Sequence, residues 1–366
     1  MKLSGPAARD GSLNWFVELV DLADSLVDKV GVLLAVNVQG KTQPLDDYQD
    51  GDSIVSEFLT GVELNDFVEG FELANIYCQT VLDEEGFLQW LARDRGRFPR
   101  AHPLVYSLAQ NGTGPARLGL IPGLCRLQHV PLVDSDGYGV IIAQNKFHSL
   151  SILRQHGLPA ARSWWFTATG WWPCAPPHGL KLIAKLTHES ASLGMGSESV
   201  FIMDRNSEIS LARVATRYRQ PLTVQEFVPG FEIEVPVFDA DEPRTIMAVG
   251  IESNGSRNLG SSVLSYDRVA IDEYGFYDFG DENSDAATEM MKIARESFRG
   301  LGLKGVGRVD FRLSSEGPPT IIEVNCKPHL TKHSSFCHAV MHIGGSYSDL
   351  LRFLVGAASF RSGITR

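Results

Sequence analysis

The sequence predicts an α/β protein: an N-terminal parallel α/β domain followed by a longer region of mixed strands and helices. Three observations carry this prediction. Val30-Gly-Val-Leu-Leu-Ala-Val-Asn37 and Pro103-Leu-Val-Tyr-Ser-Leu108 are continuous apolar runs of strand length, the pattern of strands buried on both faces of a parallel sheet. Helical segments alternate with them over the first 140 residues or so. Beyond that point several strands alternate apolar and polar side chains, the pattern of sheets covered on one face.

The elements follow in order. An amphipathic helix runs from about Trp15 to Val27 and leads into the first apolar strand. Gln39-Gly40-Lys41 is a turn, residues 44–60 are acidic and loop-like, and 62–95 mix strand and helix patterns. After the strand at 103–108 come the turn Asn111-Gly-Thr-Gly-Pro115, a helix over 118–128 and a short strand, Val130–Val133. A helix over 141–156 is closed by Gly157 with Pro159 just beyond, an ordinary stop signal. Strands are predicted over 162–167, 180–185, 200–203, 223–228, 232–238 and 245–251. A helix spans 284–300, two short strands follow, and a last helix covers 346–355. Domain boundaries are expected at 1–140, 141–219 and 220–366.

Composition narrows the function. The chain has 366 residues, 43% hydrophobic and 21% charged, ordinary for a globular protein. A net charge of −11 argues against a general nucleic-acid binder or a polybasic membrane-surface protein. No apolar run approaches the ~20 residues needed to span a bilayer, and the first residues carry no signal-peptide pattern. The five scattered cysteines form no disulfide framework, so a cytoplasmic location is expected. His329, His333, His338 and His342, with Cys326 and Cys337, match no paired zinc-ligand spacing.

The chemistry concentrates near the C-terminus. Gly305-Val-Gly-Arg308-Val-Asp310-Phe-Arg312 and Ile321-Ile-Glu323-Val-Asn325 read as two strands. Arg308 and Asp310 share one face, as do Glu323 and Asn325. If the strands pair, three hard oxygen ligands and a guanidinium converge, a set that suits Mg²⁺ with water and phosphate completing its shell. Taken alone, the same residues also read as two amphipathic strands with solvated carboxylates. Upstream, Lys185 precedes Glu189-Ser190-Ala-Ser192-Leu-Gly194, a small-residue loop whose N–H groups could approach polyphosphate, or a plain hairpin turn. Gln225-Glu226-Phe227-Val228-Pro-Gly230-Phe-Glu232 is a strand edge leading to a tight turn and a carboxylate, which could hold adenine and ribose or be an ordinary β-turn.

In this order and spacing, the pieces resemble the ATP-grasp superfamily and, within it, the D-alanine–D-alanine ligase group. The resemblance covers about residues 100–345. It rests on Asn145-Lys146 opening the helix that ends in His156-Gly157-Leu158-Pro159, on the two segments just quoted, on Arg308-Val-Asp310, and on Glu323-Val-Asn325 leading to Thr331 and Ser334. It implies a two-lobed ATP-grasp fold after the N-terminal domain, with ATP between the lobes. Lys146 and Lys185 would bind phosphates, and the loop with Glu189, Ser190, Ser192 and Gly194 would close over them. Gln225, Glu226, Phe227 and Val228 would hold adenine and Glu232 the ribose. Asp310, Glu323 and Asn325 would hold two Mg²⁺, with Mn²⁺ as a substitute. Arg308 would stabilise an oxyanion, and Ser334 would touch a substrate carboxylate. The implied reaction is ADP-forming ligation of a small-molecule carboxylate to an amine, both amino-acid-like, through an acyl phosphate, in an enzyme expected by analogy to be a homodimer.

The chain also departs from the group. Asn37-Val-Gln-Gly-Lys41 lacks the glutamate that binds the first D-alanine's amine, and Ala109-Gln-Asn-Gly-Thr-Gly114 replaces a histidine-containing motif. Phe276-Tyr-Asp-Phe279 looks like the group's mobile loop without its lysine, with Glu282 near the matching place, and His329 stands where a glycine is usual. Nucleotide and metal machinery is thus kept while substrate machinery is not. Authentic D-alanine–D-alanine synthesis, a non-catalytic ATP-binding module, and ligation to a thiol or hydroxyl are the alternatives.

Overall fold

Three sheets carry the fold in the computed structural model, which describes residues 13–48, 53–190, 193, 197–262, 274–315, 317–328 and 330–365. The chain enters through helix α1 (Asn14–Ser25) and strand β1 (Val30–Val36), every residue of which is buried. Helix α2 (Gly61–Leu73) opens on a reciprocal capping box between Thr60 and Glu63. Strand β2 (Tyr77–Leu82), helix α3 (Asp83–Gln89) and strand β3 (His102–Ser107) follow. β1 lies between β2 and β3, parallel to both, as the two apolar runs predict. The expected short strand at 130–133 reduces to one parallel bridge, Val105 to Leu132.

Helix α4 (Leu120–Leu127) leads to α5 (Gly137–Gln144) and α6 (Lys146–Gln155). The single helix expected over 141–156 is therefore broken. Asn145 takes an extended conformation and its side chain accepts from the His148 N–H, so it caps a new helix and makes Lys146 that helix's first residue.

The second sheet is antiparallel: β4 (Ser163–Thr167), β5 (Gly170–Trp172), β6 (Lys181–Leu186), β7 (Val200–Ile202) and β8 (Leu222–Glu226), in the order β5-β4-β8-β6-β7. Helix α7 (Ser207–Arg217), which the sequence reading did not identify, buries Leu211 and Ala215, one turn apart. β8 is the middle strand, so this sheet runs past the boundary expected at residue 219.

The third sheet holds β9 (Phe231–Asp239), β10 (Pro243–Thr245), β11 (Val249–Glu252), β12 (Gly275–Asp278), β13 (Val306–Leu313) and β14 (Thr320–Asn325). Its order is β12-β11-β9-β13-β14, with β10 paired to β9. Helix α8 (Ser284–Gly300) covers it with Met290, Ile293, Ala294 and Phe298, matching the predicted span. Helices α9 (Ser335–His342) and α10 (Tyr347–Arg361) close the described chain, and α10 extends well beyond the expected end at 355. These last two helices join the N-terminal core, where Phe16 and Phe353 stack at 5.1 Å. Gly356 permits the approach: a Cβ there would lie 1.9 Å from the Leu19 carbonyl. No helix among the described residues is long and apolar enough to cross a membrane.

Candidate active site

A cleft of ≈ 240 Å³ opens between the second and third sheets. The connection between them is Phe227-Val-Pro-Gly230, where Gly230 has φ +122° and a Cβ would lie 2.0 Å from the Leu313 carbonyl oxygen. Only glycine fits that close approach.

The third sheet forms one wall. β13 and β14 pair as the sequence predicts, with Arg308 opposite Asn325 and Asp310 opposite Glu323. Asp310, Glu323 and Asn325 therefore line one face of the cleft together with Arg308. Arg308 donates from Nε and Nη2 to both oxygens of Asp310, at 2.6 and 2.9 Å. Its Nη1 lies 3.1 Å from Glu234. Burial alone would weaken the charged form of Arg308, but Asp310 and Glu234 outweigh it and raise the guanidinium further above its ordinary value.

The second sheet and α6 bring cations to the same place. Lys146 Nζ is 3.2 Å from one oxygen of Glu323, and Lys185 Nζ is 3.8 Å from the other. Lys146 also donates to the Glu189 carbonyl. Burial would raise Glu323, but these two lysines hold it below the usual carboxylate range. Burial in turn lowers Lys185 despite Glu323.

At the other end, Gln225, Glu226, Phe227 and Val228 line the cleft with Glu232. Gln225 donates to the Ile322 carbonyl at 3.1 Å, while its own buried Oε1 has no partner among the described residues. Sequence reasoning missed Arg312, which organises this end. It donates to the Val228 carbonyl at 3.0 Å, bonds Glu232 at 3.0 Å and packs over the Phe227 ring. The signal was available, because Arg312 continues the face of Arg308 and Asp310 at the next alternate position of the strand.

Glu189 and Ser190 lie at the cleft edge, but the Glu189 carboxylate faces a buried polar hub. Arg117 Nη2 bonds Glu189 at 2.7 Å and Glu57 at 3.0 Å, and all three side chains are almost wholly buried. Tyr48 donates to Glu189 at 2.6 Å, Gln220 donates to it at 2.9 Å, and Glu57 accepts the Ser190 N–H at 2.6 Å. Burial, reinforced by Glu189, pushes Glu57 up to about 7 against the pull of Arg117. Glu189 is held below its ordinary value by Arg117 despite burial. Glu57 also lines the cleft. Residues 57, 117 and 189 are too far apart in sequence for any local spacing to reveal the hub.

Ser334 stands apart from the cleft lining: it caps α9, accepting from the Cys337 N–H at 3.2 Å and donating to the Thr331 carbonyl at 2.8 Å. Ser192, Gly194 and His329 lie outside the described residues. Among the described residues no group of three or more His, Cys, Asp or Glu is placed to hold a metal ion.

An antiparallel pair carrying acidic and amide oxygens, faced by two lysines across an interlobe cleft, defines an ATP-grasp ligase. The chain belongs to the D-ala D-ala ligase C-terminus family, whose model matches residues 156–356. It is similar to the D-alanine–D-alanine ligase of Bacillus velezensis, 28% identical over 285 residues, covering 74% of this chain and 77% of that one. Among solved structures it resembles the ATP-complexed D-alanine–D-alanine ligase of Bacillus anthracis (TM-score 0.64, 15% identity, 90% of this chain and 97% of that one). It also resembles the VanG D-Ala:D-Ser ligase of Enterococcus faecalis (TM-score 0.60, 16% identity, 90% and 99%).

Proposed function

We propose that this protein is an ADP-forming carboxylate–amine ligase that joins two amino-acid-like molecules. The observation that carries the reading is the charge arrangement of the cleft. Glu232, Glu234, Asp310 and Glu323 stand against Arg308, Arg312, Lys146 and Lys185, all lining one space. With Glu57, Glu189, Glu226 and Lys327 the lining holds seven carboxylates against five cations, an excess of negative charge when all are ionised, so it favours a ligand that brings divalent cations with it. ATP with two divalent cations meets that condition. The donor chemistry fits Mg²⁺, which uses one or two protein carboxylates and takes its other ligands from phosphate and water. Asp310, Glu323 and Asn325 would hold it, and when bound it would neutralise charge at the phosphates.

Lys146 and Lys185 would exchange Glu323 for phosphate oxygens. Gln225 to Val228 would hold the base and Glu232 the ribose, with Arg312 keeping that end in place. The substrate carboxylate attacks the γ-phosphorus, ADP departs and an acyl phosphate forms. The amine then attacks the acyl carbon, Arg308 stabilises the tetrahedral oxyanion, and phosphate leaves with the electron pair of the broken C–O bond and takes up the proton the nitrogen loses, which leaves the amide. Between the two steps the lobes would exclude water from the acyl phosphate.

The test is a screen of paired amino acids, D-alanine included, for ADP and phosphate release. Release that requires both a carboxylate and an amine, with an amide product by mass spectrometry, is the expected result. AMP release, or no release with any pair across a broad panel, overturns the reading.

A further inference from the structure

One carboxylate of the cleft has no role in the chemistry above. Glu234 lies on β9 directly across from Asp310, which lies directly across from Glu323. The three form a single row over adjacent strands, and opposed residues share a face. Glu234 is 7% exposed and lines the cleft. One oxygen holds Arg308 Nη1 at 3.1 Å. The other is buried beside the Ser335 hydroxyl, whose interaction favours the ionised carboxylate.

Arg308 thus sits between two carboxylates, with two of its nitrogens on Asp310 and the third on Glu234. A bidentate arginine–carboxylate pair is strong and directional. It conflicts with the metal role proposed for Asp310, because a carboxylate engaged on both oxygens has less to offer a cation. An arginine anchored only by Asp310 would compete with the metal, or lose its place once the metal bound. A second anchor on the opposite side removes the conflict. Glu234 holds Arg308 from the side opposite Asp310.

We infer that Glu234 is a positioning residue, holding Arg308 through Nη1 so that Asp310 is released to a divalent cation while the guanidinium stays at the reacting carbon. The inference rests on the metal role proposed for Asp310.

The experiment titrates Mn²⁺ into the full-length protein saturated with a non-hydrolysable ATP analogue, read by electron paramagnetic resonance. Glu234→Val is expected to weaken Mn²⁺ binding about tenfold, a usual coupling for groups in one ion-pair network. Glu234→Asp, which keeps the charge but shortens the reach to Arg308, is expected to lose most of the same affinity and serves if the valine variant does not fold. Glu234→Gln, which retains an acceptor for Nη1, is expected to stay within about threefold. In an Arg308→Gln background, Glu234→Val is expected to change Mn²⁺ binding by less than about twofold. Equal loss in both backgrounds, or full retention by Glu234→Asp, overturns the inference in favour of a ligand or a bare charge. No loss in any Glu234 variant overturns it outright. Asp310→Asn binding Mn²⁺ as tightly as the unmodified protein would instead remove the metal assignment beneath it.

Discussion

Lys146 Nζ reaches from the first turn of α6 to within 3.2 Å of Glu323 on β14. This contact joins the two sides of the cleft through groups that the proposed reaction would separate, because Lys146 would turn to phosphate and Glu323 to metal. Lys185 doubles the contact from β6. Both contacts span the cleft between the second and third sheets.

Glu323→Gln should therefore act on the empty protein as well as on the reaction. Phosphate release is expected to fall by at least about 10²-fold. Thermal unfolding without nucleotide should show a loss of roughly 3 kcal/mol, because two mostly buried ammonium groups lose their shared partner. Unchanged stability of the nucleotide-free protein would show that the lysines find other partners.

The Arg117 hub carries a different expectation. Arg117→Met leaves Glu57 and Glu189 buried without their cation, a change of the kind that costs about 3–5 kcal/mol. Urea denaturation followed by tryptophan fluorescence measures it. Arg117→Lys should recover only part of the loss, since an ammonium lacks the fork that spans both carboxylates. Full recovery by lysine would mean that charge alone matters there.

Burial lowers His188 to about 4, and its Nδ1 has no partner among the described residues. A histidine depressed in the folded state binds its proton more readily when unfolded. Its neutral form costs nothing above pH 6.5, and stability is then lost as pH falls from about 6.5 towards 4, by up to about 3 kcal/mol. His188→Gln should flatten the pH dependence of unfolding in that window relative to the unmodified protein. Parallel curves for the two proteins would count against a buried neutral imidazole.

Gly230→Ala should be the most damaging substitution in the connection between the sheets. Its Cβ would lie 2.0 Å from the Leu313 carbonyl oxygen, and φ of +122° disfavours any side chain. Either β9 shifts against β13 or the turn moves, and both displace Val228 and Glu232. Binding of a fluorescent ATP analogue is expected to weaken at least about tenfold, with a stability loss of roughly 2 kcal/mol or more.

Much of this site was legible in the sequence because its chemistry lies on strands. Alternation put Arg308 with Asp310 and Glu323 with Asn325, and pairing brought them together. The same periodicity places Glu234 and Arg312, but each reads as an ordinary outward residue until its neighbouring strand is known. The Arg117 hub was illegible for a stronger reason. Its members come from two 3-10 turns, which hold Glu57 and Arg117, and from loops that hold Tyr48, Glu189 and Gln220, where no period links residue to partner. The break between α5 and α6 was hidden by unbroken apolar periodicity, although Asn145 is the kind of side chain that caps helices. The helix at 335–342 was not legible in the sequence, and nothing local in 335–361 says that the apolar faces of the closing helices meet α1.

The stacking of Phe16 on Phe353 has a consequence for biosynthesis. A ribosome delivers α1 and β1 about 300 residues before α10, which at roughly 5–20 residues per second is tens of seconds. Throughout that interval the apolar faces of Phe16, Leu19 and Val20 wait for their cover. A segment made early therefore gains its packing only after the end of α10 is made, and matures late.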